Sequence, residues 1–85
     1  MFLHVTEARH TQDYRLWLAF SNGETGEVDL ERELWGEVFE PLRDKALFAT
    51  AFVDGEMETL AWENGADLAP EFLLDLLRSQ EQCAA

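Results

Sequence analysis

The residues that could do chemistry in this chain are few and widely spaced. His4 and His10 lie six residues apart with no cysteine near them, whereas a zinc site needs three or four converging ligands. Cys83 is the single cysteine, so an intramolecular disulfide is excluded and a catalytic thiol is not expected. Ser21 and Ser79 lack the Gly-x-Ser-x-Gly context of a hydrolase nucleophile. The sequence therefore predicts a protein that is not an enzyme and that has no metal site and no cofactor.

The segment AWENGADLAPEFLLDLL, residues 61–77, is the strongest alternative to that conclusion. Trp62 and Asp67 could line a pocket between a sheet and a helix, as in a small-molecule-binding or enzymatic domain. Asn64-Gly65 is a turn signal, however, and Pro70 suits the first position of a helix, where its missing N–H is not needed. We interpret the segment as a corner of the fold, and an uncharacterised structural domain remains a third possibility.

The charge of the chain is strongly one-sided, with 18 acidic and 6 basic residues and a net charge of −12. Such a surface repels phosphate groups, so we expect no direct binding of nucleic acid by this chain and no adsorption to a membrane. Residues 24–40 contain seven acids against Arg32 alone, and residues 46–77 contain seven more with no base. A solvated acidic surface explains these clusters, and so does a face that meets a basic protein.

Three Trp and six Phe are many for the core of an 85-residue domain. Tryptophan is a favoured anchor at protein interfaces, so those left outside the core are candidates for contact with a partner. The candidates are Trp17 and Trp62, at the rim of the predicted sheet, and Leu74, which widens the apolar stripe of the last helix. We also expect that so small a domain could form a homodimer.

Alternating residues predict strands at 2–8 and 14–20, with Asn22-Gly23 forming a type I′ turn into a third strand at 25–30. Gly36 and Pro41 interrupt the next segment, which predicts short helical turns. A second hairpin is predicted from strands at 47–53 and 56–62, and a helix from Pro70. The apolar residues of the middle segment are expected to cover the end of the sheet: Leu34, Trp35, Val38, Phe39 and Leu42.

The predicted fold class is α+β: an antiparallel sheet of four to five strands in two hairpins, short helical turns in the middle, and a C-terminal helix packed on one face. Residues 1–85 form one small domain in this prediction, with 81–85 as a frayed tail. A signal peptide is not recognisable, and no window approaches 18 consecutive apolar residues, so a soluble cytoplasmic protein is expected.

Three segments taken together resemble a known family: YRLWLAFSNGETGEVDL, GEVFEPLRDKALFATAFV and LAWENGADLAPEFL. Their order and spacing, over about residues 5–77, are similar to the bacterial family named domain of unknown function 2442. The resemblance implies a small α+β domain without enzyme activity.

Some relatives resemble sensor or interaction domains joined to a helix-turn-helix, and others resemble the antitoxin-like member of a gene pair whose second product is small and basic. Because the chain ends at Ala85, we expect no helix-turn-helix after the last helix. The predicted function is therefore a non-catalytic, acidic protein-interaction or regulatory module that docks a small basic protein.

Overall fold

The computed structural model describes residues 3–56 and 58–83 as an α+β fold with two antiparallel sheets. The first sheet has the order β1 (Val5–Gln12), β2 (Arg15–Phe20) and β3 (Thr25–Asp29). Two short 3-10 helices, Glu31–Glu33 and Glu40–Arg43, and helix α1 (Lys45–Phe48) follow. The second sheet consists of β4 (Phe52–Asp54), β5 (Thr59–Ala61) and β6 (Asp67–Leu68), and helix α2 (Pro70–Cys83) ends the described chain. The fold class is as predicted, but the single sheet of four to five strands is wrong because the strands divide into two sheets of three.

The alternation in β2 determines which face of the first sheet is buried. Leu16, Leu18 and Phe20 are almost completely buried, whereas Arg15 and Trp17 lie on the other face. The predicted hairpin after β2 is present, but it is not a type I′ turn. Among the four residues that connect the strands, 21–24, only Gly23 has a positive φ, of 92°, whereas a type I′ turn needs two.

The segment 47–53, predicted as one strand, begins instead with the last two residues of helix α1, and only residues 52 and 53 lie in a strand. The carboxylate of Asp44 accepts a hydrogen bond from the Ala46 N–H at 2.9 Å and so begins helix α1. That turn directs Phe48 into the core, where it is fully buried, and extended structure begins only at Phe52. The capping aspartate outweighs the alternating pattern that follows it.

The second sheet is joined to the first through β1. The Val5 N–H donates to the Glu58 carbonyl at 3.0 Å, and β1 packs against both β4 and β5. The return strand, predicted over 56–62, is only Thr59–Ala61, and Met57 lies outside the described residues.

The core lies between the inner faces of the two sheets, the helical middle segment and α2. Leu73 and Leu77 of α2 are buried in it, together with the aromatic rings of Phe48 and Trp62. Helix α2 begins at Pro70 as predicted and continues to Cys83, so it includes residues 81–83 of the expected tail, while residues 84 and 85 lie outside the described chain. Among the described helices, none is long and apolar enough to span a membrane.

Candidate interaction surface

Two of the three predicted contact residues lie in the core. The exposed fraction is 2% for Trp62 and 6% for Leu74. The Trp62 indole donates its Nε1–H to the Phe48 carbonyl at 2.9 Å, so its polar edge is satisfied inside the protein. Neither side chain is available to a partner in this fold.

The proposed pocket between Trp62 and Asp67 is not formed by these residues. Trp62 packs its ring on that of Phe48, with 5.8 Å between ring centres, whereas Asp67 is exposed on β6. An open groove of about 610 Å³ lies elsewhere, between the first sheet, the first 3-10 helix and α2. Its walls are polar and include the residues Arg15, Asp29, Glu31, Arg32, Glu33, Leu76, Ser79 and Gln80.

The histidines have partners that do not resemble a metal site. His4 lies 3.4 Å from the Glu58 carboxylate, and the His10 Nε2 lies 3.0 Å from the Asp13 carbonyl. Within the described residues, no three side chains of His, Cys, Asp and Glu converge to hold a metal ion.

The most exposed large apolar side chain described is Trp35, at 70%, and Val38 beside it is 48% exposed. The sequence predicts that both cover the end of the sheet, because Leu34, Val38 and Leu42 recur at four-residue spacing. Gly36 breaks that spacing with a φ of 93°, a left-handed conformation that favours glycine. Leu34 and Leu42 therefore point into the core, while the residues on either side of Gly36 face solvent. The Trp35-Gly36 pair was the signal that sequence reasoning missed.

The segment 34–39, which we call the Trp35 loop, is fixed at both ends. Leu34 is fully buried, and Phe39 packs against the core. The Arg43 Nε–H donates to the Leu34 carbonyl at 2.8 Å, and the Asn64 side-chain amide donates to the Val38 carbonyl at 3.0 Å. Because the backbone of the loop is already held in place, binding a partner would cost little of its conformational entropy.

Acidic residues surround the Trp35 loop in the sequence. Glu31, Glu33, Glu37 and Glu40 lie within or beside it, against Arg32 and against Arg43, whose guanidinium reaches the Leu34 carbonyl. Glu33 is half-buried and the other three glutamates are exposed. The loop therefore combines an exposed indole with a local excess of negative charge.

Most of the basic side chains elsewhere are already engaged by acids of this chain. The ion pairs are Arg9–Glu7 at 3.0 Å, Arg15–Glu27 at 3.6 Å, Arg15–Asp29 at 3.7 Å, Lys45–Asp13 at 3.1 Å and Arg78–Glu24 at 2.6 Å. In the last pair the Arg78 guanidinium, followed by the Asn22 amide, lowers the pKa of the Glu24 carboxyl. The acids around the Trp35 loop outnumber the cations left to balance them.

Trp17, the third predicted contact, is half-buried on the face of the first sheet that points away from the core. We call this the outer sheet face; it carries Glu7, Arg9, Arg15, Trp17, Ala19, Thr25, Glu27 and Asp29. The Arg9 guanidinium carbon lies 5.8 Å from the centre of the Trp17 ring, within range of a cation–π interaction. Trp17 is thus available to a partner, but its surroundings contain both signs of charge.

Comparison with known proteins places the fold in context. The model of the family described as "Protein of unknown function (DUF2442)" matches residues 5–79. The fold is similar to a crystal structure from Nitrosomonas europaea ATCC 19718 named "Putative DNA Binding Protein NE0471", with a TM-score of 0.83 and 22% identity. The match covers 96% of this chain and 53% of that one, so this chain spans about half the length of its structural neighbour. No match is found among curated proteins.

Proposed function

The chain belongs to the DUF2442 family, and we propose that it is a non-catalytic interaction module that docks a basic protein partner through the Trp35 loop. The observation that carries the proposal is the exposure of Trp35, 70% on a loop that is anchored at both ends. Tryptophan buries a large area at low entropic cost and is enriched among the residues that dominate binding energy. Because the exposed Trp35 indole lies outside the core, we explain it by contact with another molecule.

The acids define the chemistry of the partner. Glu31, Glu37 and Glu40 are exposed beside the loop, and the whole chain carries a net charge of −12. A basic segment would be attracted by this field, and an Arg or Lys side chain could lie on the indole while pairing with a neighbouring glutamate. We place this docking in the cytoplasm, because a single cysteine without an intramolecular partner suits a reducing compartment.

DNA binding is a second candidate, and one observation favours it: the name of the structural neighbour. The charge of the present chain opposes it, since DNA affinity rests largely on cations that neutralise phosphates. Six basic residues against 18 acids leave little for that purpose. A mobility-shift titration with a short duplex at low salt decides the matter, and we expect no shift at micromolar protein.

The docking proposal is tested by capture from cells of the source organism with three baits. The wild type is compared with Trp35→Ser and with Phe52→Ser, which removes another exposed aromatic side chain, 41% exposed, from β4. We expect a basic protein to be retained at low salt by the wild type and by Phe52→Ser, released by high salt, and lost from Trp35→Ser. Retention by all three baits, or recovery of acidic proteins alone, would refute the role of the loop.

A further inference from the structure

We propose that the outer sheet face, centred on Trp17, is the interface of a symmetric homodimer in solution. This surface contains none of the residues 34–39 of the Trp35 loop, although Arg15 and Asp29 at its edge share the open groove with Glu31–Glu33, so the inference goes beyond the proposed docking function. The dimer would leave the Trp35 loop free for the basic partner.

The proposal rests on a row of three side chains that crosses the sheet. Arg9 on β1 pairs in register with Trp17 on β2, and Trp17 pairs with Glu27 on β3. The row therefore runs from positive, through aromatic, to negative. Within one chain Arg9 lies 3.0 Å from Glu7, and Glu27 lies 3.6 Å from Arg15 and accepts a hydrogen bond from the Thr11 hydroxyl at 3.1 Å. Neighbouring strands lie ~4.8 Å apart, so Arg9 and Glu27 stand on opposite sides of the indole.

This order of charges makes the face complementary to itself. If two copies meet face to face about a two-fold axis parallel to β2, the Arg9 end of each row lies over the Glu27 end of the other. The two Trp17 rings meet at the axis. A two-fold axis along the row itself would instead bring Arg9 onto Arg9, so charge selects the first arrangement.

That arrangement agrees with how sheets pack. Sheets in contact are ~10 Å apart and keep their strands nearly aligned, which an axis parallel to β2 preserves. The two Arg15 side chains would then meet near the axis. Each is accompanied by Glu27 and Asp29 of its own chain, at 3.6 and 3.7 Å, and these carboxylates offset the charge of the guanidinium.

A second copy fits this face better than the basic partner does. Arg9 and Arg15 are two of the six basic residues, and both lie here. A basic protein would meet these cations, whereas at the Trp35 loop four glutamates stand against Arg32 and Arg43. On a chain with a net charge of −12, self-association needs a face where the charges nearly balance, and the outer sheet face has two bases and three acids.

The test uses two single variants, each of which reverses one charge of the row. Sedimentation equilibrium at ~150 mM salt, where the Debye length is about 8 Å, measures the dimerisation of each variant and of their mixture. Arg9→Glu alone places Glu on Glu27 at both ends of the row, and Glu27→Arg alone places Arg on Arg9. We expect each variant alone to weaken the dimer by about tenfold or more. An equimolar mixture should restore association, because Arg–Glu contacts form again in the heterodimer.

Circular dichroism confirms that each variant is folded. Should either charge variant unfold, Trp17→Thr, which keeps a good strand former at the centre of the face, replaces it and is expected to give a monomer. Trp35→Ser is the matched control and should remain dimeric. A wild-type monomer at high micromolar concentration would overturn the proposal, and so would a dimer that ignores the Arg9, Glu27 and Trp17 substitutions.

Discussion

Trp35 and Trp62 are the same side chain in opposite surroundings. Trp62 is 2% exposed and its indole N–H is bonded to the Phe48 carbonyl, whereas Trp35 is 70% exposed on a loop. One therefore belongs to the fold and the other to the surface. The sequence alone does not show which of the two tryptophans is buried, because both are the same residue type. The positive φ of Gly36 accompanies the turn that exposes Trp35.

Substitution of these two residues should have unequal effects on stability. Trp35→Ser is expected to change the free energy of unfolding by less than about 0.5 kcal/mol, as for an exposed site. Trp62→Phe should cost about 1–3 kcal/mol, because the buried Phe48 carbonyl loses its donor and a smaller ring leaves a void. Urea denaturation measures both. A cost for Trp35→Ser as large as that for Trp62→Phe would mean that Trp35 is structural.

Trp17, Trp62 and Leu74 show how far contact residues were predictable from the sequence. Their patterns placed Trp17 correctly on a strand and Leu74 correctly on a helix, whereas Trp62 follows the end of β5 rather than lying in it. Which apolar position becomes exposed depends on what packs against it, and that is a property of the assembled fold. The division of the strands into two sheets closes the core around Trp62 and Leu74 and leaves only Trp17 partly outside.

At the scale of elements, β3 and α2 are in very close contact at Gly26. A Cβ built at this glycine would lie 2.6 Å from Cδ1 of the buried Leu77. Sequence reasoning identified the strand and the helix but did not predict this contact, since the packing of α2 across β3 is not encoded by either pattern alone. The close approach explains why glycine occupies the interior of a strand.

Gly26→Val should therefore destabilise the protein by about 1–3 kcal/mol, as overpacking of a filled core does. Gly55→Ala is the matched control, because nothing lies within 4 Å of a Cβ there and its φ is not positive. Thermal or urea unfolding of the two variants measures the difference. Equal stability of both would contradict the packing of α2 on β3.

A second contact, the ion pair between Arg78 and Glu24, joins α2 to the connection between β2 and β3. The guanidinium lies 2.6 Å from the carboxylate and lowers the pKa of Glu24 from its usual 4.5, with a further contribution from Asn22. A lowered pKa means that the pair supports the fold above the usual value and loses this effect as the pH falls through the folded-state pKa.

Arg78→Gln should raise the pKa of Glu24 towards 4.5, as followed by NMR titration of the side-chain carboxyl. The stability difference between this variant and the wild type should also shrink as the pH is lowered below that value. Arg32→Gln removes the same charge from the Trp35 side of the molecule and should leave Glu24 unchanged. An unaltered Glu24 titration in Arg78→Gln would show that the pair does not form in solution.

At the scale of the whole molecule, we propose two surfaces with different occupants, a basic protein and a second copy of this chain. The Trp35 loop presents an indole among glutamates, and the outer sheet face presents a balanced row of charges around Trp17. The prediction of a basic partner rests on the net charge of the sequence. The residues that would meet it were not predictable, because a loop in the middle segment, rather than the sheet rim or α2, carries the exposed tryptophan.

The central claim, that the Trp35 loop is the docking surface, is tested most directly by an NMR titration of the labelled protein with an Arg- and Lys-rich peptide. We predict that the indole N–H signal of Trp35 and the amides of residues 31–40 shift first and saturate together, while the indole N–H of Trp62 stays unchanged. The same titration of Trp35→Ser should leave only weak, salt-sensitive shifts. Saturating shifts on the outer sheet face or along α2, with the Trp35 loop unaffected, would contradict this claim.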